Sequence, residues 1–122
     1  MFGSKTILIA DGSTYAALDL SNAVEASEGC VAGPVETLSQ ALTMFDAREL
    51  AGAIVDCELP DAAALVMWLT KTGVPLVVQT TVPLPPALDA LESQLSVLMR
   101  PVATRAVLDA LAIEIEKVRL TS

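Results

Sequence analysis

The chain alternates short apolar runs with longer stretches in which apolar residues recur every three or four positions. Thr6-Ile7-Leu8-Ile9-Ala10 is an uninterrupted run of strand length, followed by the turn-forming Asp11-Gly12-Ser13. From Thr14 to about Ala26 the spacing of Ala17, Leu20 and Val24 predicts a helix, stopped by Gly29. Cys30-Val31-Ala32 reads as a second strand ended by Gly33-Pro34. Thr37 and Gln40 stand three apart, as in a capping box, and open a helix with Leu38, Leu42 and Phe45 on its buried face. Ala53-Ile54-Val55 is a third strand, and it stops at Asp56. Asp61 is placed to cap a helix through Leu65, Trp68 and Leu69 that Gly73 closes.

Pro75-Leu76-Val77-Val78-Gln79 predicts a fourth strand, meeting Thr80-Thr81. Pro83, Pro85 and Pro86 then leave room only for a short helix from about Pro86 to Glu92. Val97-Leu98-Met99 is a fifth strand, followed by Arg100-Pro101. Thr104 is placed to cap a last helix with Val107, Leu111, Ile115 and Val118 as its buried stripe. Strands alternating with helices through short loops imply right-handed crossovers and one parallel sheet. The expected fold is α/β, one parallel sheet with helices, and residues 1–122 form a single domain. The carboxyl ends of its strands then carry Asp11, Asp56, Thr80 and Arg100 at one edge, where open α/β sheets hold their ligands.

Composition narrows the function. The 122 residues are 53% hydrophobic but only 3% aromatic, so the core is aliphatic. A net charge of −8 argues against nucleic acid and against anionic membrane surfaces as partners. The longest apolar run, Ala62 to Leu69, is too short to span a bilayer, and the first residues do not read as a signal peptide. Cys30 and Cys57 match neither a metal spacing nor a disulfide framework, so a cytoplasmic location is expected. The chain has no histidine, which removes His-based triads, His-ligated metals and any role as a phosphohistidine donor.

Four pieces, Ile7-Leu8-Ile9-Ala10-Asp11, Val55-Asp56-Cys57-Glu58-Leu59-Pro60-Asp61, Val77-Val78-Gln79-Thr80 and Met99-Arg100-Pro101, together resemble the receiver domain of bacterial response regulators. The resemblance spans essentially the whole chain, and it implies a flavodoxin-like, doubly wound five-stranded parallel sheet with strand order 2-1-3-4-5. It implies that Asp56 is a phosphoacceptor supplied by a histidine kinase or a phosphotransfer protein. It also implies Mg2+ held by Asp11, Asp56 and the backbone carbonyl of Glu58, with Thr80 and Arg100 contacting the phosphoryl group. An atypical member is expected, signalling through protein–protein contacts, with homodimerisation left open and no output domain after the last helix. Gly12 stands where the family has a second acid, so Mg2+ binding is expected to be weak unless the Glu58 side chain compensates. Arg100 replaces the family's lysine, and Val97 and Val102 replace its aromatic positions, so a switch is expected in the loop from Thr80 to Pro86. Two other readings stay open: an interaction module that needs no phosphate, and a small-molecule binder with Asp11-Gly12-Ser13-Thr14 as a phosphate cradle.

Overall fold

A computed structural model describes residues 1–84, 86–89, 91 and 95–121. Five strands, β1 (Thr6–Ala10), β2 (Cys30–Val35), β3 (Gly52–Asp56), β4 (Leu76–Thr80) and β5 (Ser96–Met99), form one sheet in the order β2-β1-β3-β4-β5. Every neighbouring pair is parallel. The helices are α1 (Thr14–Ala26), α2 (Leu38–Met44), α3 (Ala62–Lys71), α4 (Pro86–Asp89) and α5 (Thr104–Thr121), with a 3-10 turn at Ala47–Glu49. The strand order and doubly wound architecture match the sequence reading.

Because successive strand residues face opposite sides, each strand feeds two cores. Ile7, Ile9, Ile54 and Val77 pack under α1 and α5 against Leu20, Val24, Val107 and Leu111. Leu8, Ala53, Val55, Leu76 and Val78 pack on the other side against Leu65, Leu69 and Leu88. β3 and β4 are buried along their full lengths, as central parallel strands require.

Several local expectations are corrected. β2 does not end at Gly33-Pro34 but runs on to Val35 with an irregular register against β1. It is an edge strand, where a proline removes no needed ladder bond, and Gly33 takes a φ of 101° that a side chain would resist. In α2 the buried position is Ala41, whereas Leu42 is 55% exposed; Leu38 and Phe45 do pack on the core. The Asp61 carboxylate does not cap its own helix. Its backbone is not extended, and its Oδ2 accepts from the Leu38 N–H at 2.9 Å, capping α2 instead. Thr104 is the first residue of α5, and its hydroxyl donates to the Asp19 carboxylate of α1. Val118 is 42% exposed, so the stripe fades after Ile115. Past α1, the left-handed position is Glu28, with φ 68°, not Gly29. A Cβ on Gly29 would sit 2.7 Å from Val24 Cγ1 and 3.2 Å from Phe2, so glycine is needed there for space. The short helix begins at Pro86 as expected; its expected end, Glu92, lies outside the described residues.

Candidate functional site

β1 and β3 are neighbours with Ala10 opposite Val55, so Asp11 and Asp56 leave the sheet side by side. β4 lies on the other flank of β3 with Gln79 opposite Asp56, and β5 follows with Met99 opposite Thr80. The strand ends therefore meet at one edge, and Arg100, the first residue beyond β5, reaches across all of them.

Its guanidinium fork has one nitrogen on each acid. Nη2 donates to Asp11 Oδ2 and Nη1 to Asp56 Oδ1, both at 3.1 Å. Nη1 also approaches Glu58 Oε2 at 3.4 Å, and Nη2 donates to Gln79 Oε1 at 3.0 Å. The rigid planar fork suits this task, since a lysine point charge could not hold two carboxylates and an amide in fixed directions. The side chain of Asp11 is 1% exposed and that of Arg100 23%, so the pair works partly out of water.

The remaining contacts fix the acids. Asp11 Oδ1 accepts from the Ser13 N–H at 2.8 Å, while Ser13 caps α1 by accepting from the Ala16 N–H. Asp56 Oδ1 also accepts from the Glu58 N–H at 2.9 Å. Asp56 Oδ2 has no hydrogen-bond partner among the described residues and is the carboxylate atom left for chemistry. Burial pushes the Asp11 carboxyl above its ordinary value, helped by the neighbouring Asp56 charge, while the Ser13 N–H and Arg100 act in the opposite sense. Burial likewise raises the Cys57 thiol, so it is a packed, neutral group.

Arg100 thus links Asp11, on Nη2, to Asp56 and Glu58, on Nη1. Thr80 is brought to the same edge but not to the carboxylates. Its hydroxyl donates to the Val82 carbonyl at 2.6 Å and accepts from the Val82 N–H at 3.2 Å. The neighbouring Thr81 donates to Glu58 Oε1 at 2.8 Å, so Glu58 links the loop after β4 to Arg100. Gln79 is the participant that sequence reasoning missed. The one available signal was an amide in the fully buried strand Leu-Val-Val-Gln-Thr, where a polar side chain must find a partner.

The Mg2+ ion implied by the family resemblance does not fit this arrangement. The oxygens of Asp11 and Asp56 that face each other already hold the arginine fork. Among the described residues, no three of the Asp, Glu, His and Cys side chains are grouped to hold a metal ion. The Asp11-to-Thr14 turn borders a cavity of about 270 Å³, but Glu36 lines it too, and two acids make a poor phosphate cradle.

No protein-family model matches the sequence, and neither does any curated protein. Solved structures do match over nearly the whole chain. A response regulator receiver domain protein from Methanospirillum hungatei JF-1 superposes with a TM-score of 0.79 at 20% identity, covering 97% of this chain and 98% of that one. The signal receiver domain of a modulated diguanylate cyclase from Desulfovibrio desulfuricans G20 gives 0.80 at 22% identity, covering 96% and 98%. A response regulator receiver protein from Sinorhizobium medicae WSM419 gives 0.75 at 18% identity, covering 97% and 99%. The chain has the receiver fold.

Proposed function

We propose that this receiver-fold chain is an atypical response regulator module of the cytoplasm. It takes a phosphoryl group on Asp56 from a histidine kinase or phosphotransfer protein and passes the signal on by binding another protein. The observation that carries the reading is the pairing of Asp56 with Arg100 at the carboxyl edge of this fold, with Oδ2 of the carboxylate left open. In the transfer, Oδ2 attacks phosphorus as the P–N bond of the donor's phosphohistidine breaks. The imidazole leaves with the bonding pair and takes a proton from water. Arg100, already 3.1 Å from Asp56, offsets the charge brought in by the phosphoryl oxygens.

A second reading, an interaction module that works without phosphate, is favoured by one feature. Arg100 is satisfied by Asp11, Asp56 and Gln79 before any phosphate arrives. Intact-mass measurement after incubation with acetyl phosphate separates the two. One added phosphoryl group on the wild type and none on Asp56→Asn supports the phosphoacceptor. An unmodified wild type leaves the phosphate-independent module. In either case no described helix is long and apolar enough to cross a membrane.

A further inference from the structure

The cation at this edge is part of the chain. We propose that Arg100 is the resident counter-ion of the acid pair and that the site works without a bound divalent metal. The inference rests on reading this edge as the functional site, but not on Asp56 being phosphorylated.

Three observations support it. First, the guanidinium lies between the acids, at 3.1 Å from both Asp11 Oδ2 and Asp56 Oδ1. A small hard cation such as Mg2+ needs near-octahedral oxygen ligands at about 2.1 Å and takes several waters with it. It cannot share those oxygens with the fork, and displacing the fork would leave a partly buried guanidinium without its partners.

Second, Arg100 is itself held in place. Gln79, on a fully buried strand, accepts from Nη2 at 3.0 Å, and Glu58 Oε2 lies 3.4 Å from Nη1. Gln79 is a positioning residue, fixing the fork across the acids. An arginine also cannot vacate the site by losing its proton. Third, the turn after β1 offers no further carboxylate, because Gly12 follows Asp11. A cation already supplied by the protein removes the need for one.

The proposal is tested without any phosphodonor, so a failure of Asp56 to accept phosphate leaves it untouched. The unfolding midpoint and the Trp68 fluorescence are followed during MgCl2 titration into the millimolar range at constant ionic strength. Wild type should give no saturable response, and neither should Gly12→Asp, because Arg100 still fills the gap. A Cβ at Gly12 meets only the end of the Leu59 side chain, at 3.2 Å, so the new carboxylate can be accommodated. The double variants Gly12→Asp/Arg100→Gln and Gly12→Asp/Arg100→Lys should give a midpoint rise that saturates. The lysine version retains a charge if the glutamine version fails to fold. Silence in wild type and Gly12→Asp with either double variant responding supports the proposal. A saturable response in wild type or in Gly12→Asp overturns it, and so does silence in all four proteins.

Discussion

At Asp11 two influences oppose each other, and their balance sets a pH dependence. Burial and Asp56 raise its carboxyl from an ordinary 3.8, while the Ser13 N–H and Arg100 restrain the rise. A carboxyl that holds its proton more tightly when folded contributes stability below its unfolded pKa. That contribution is lost as pH rises through the folded value. Asp11→Asn should therefore be more stable than wild type at pH 7, with the gap narrowing as pH falls through the raised folded value and closing at the ordinary carboxylate value. Chemical unfolding across that range checks it, and a gap that widens in acid contradicts it. Arg100→Gln should act in the other direction by leaving Asp11 and Asp56 facing each other. A loss of about 2 kcal/mol is expected, below the ~3–5 kcal/mol of a fully buried pair because Arg100 is 23% exposed. Asp11, Asp56 and Arg100 were legible in the sequence because each follows an apolar run, at a predicted strand end. Their joining by one guanidinium was not, because it depends on a register that sets Gln79 opposite Asp56.

Among the elements, the helix starts show where local chemistry is overridden by packing. Asp61 precedes α3 and reads as its cap, yet its carboxylate serves the Leu38 N–H of α2, 23 residues away. Asp61→Ala should cost about 1 kcal/mol, and its clearest sign should be faster amide exchange at Leu38 rather than inside α3. Thr37 caps α2 through the Gln40 N–H as its spacing foretells, but the Gln40 amide oxygen accepts from Glu36 rather than closing on Thr37. Alternation of three and four left both Ala41 and Leu42 eligible for the core, and the packed seven-residue helix buries the smaller. The loop after β4 is the element through which a signal would leave. Thr80 ties it to Val82 from both sides, and Thr81 ties it to Glu58 and so to Arg100. Val97 packs against the core and has little rotamer freedom. Phosphorylation should therefore change amide exchange more at residues 81–84 than at Val97. A change centred on Val97 with a quiet loop would contradict this route.

For the whole molecule, one parallel sheet was readable because apolar strands and amphipathic helices alternate without interruption, while the strand order came with the resemblance to receiver domains. In a chain with 3% aromatic residues, the core can be filled by Ala, Val, Leu and Ile on both faces of such a sheet. What the fold then contributes is convergence. Residues 11, 56, 58, 79 and 100, from four separate segments of the chain, meet at one edge around a single guanidinium. The central claim is that this edge takes a phosphoryl group on Asp56, and borohydride reduction after treatment with acetyl phosphate tests it most directly. Reduction converts an aspartyl phosphate to homoserine, which peptide mass spectrometry can locate. Homoserine at position 56, lost in Asp56→Asn and much reduced in Arg100→Gln, is the predicted result. Homoserine at another acid, or none at any, would contradict it.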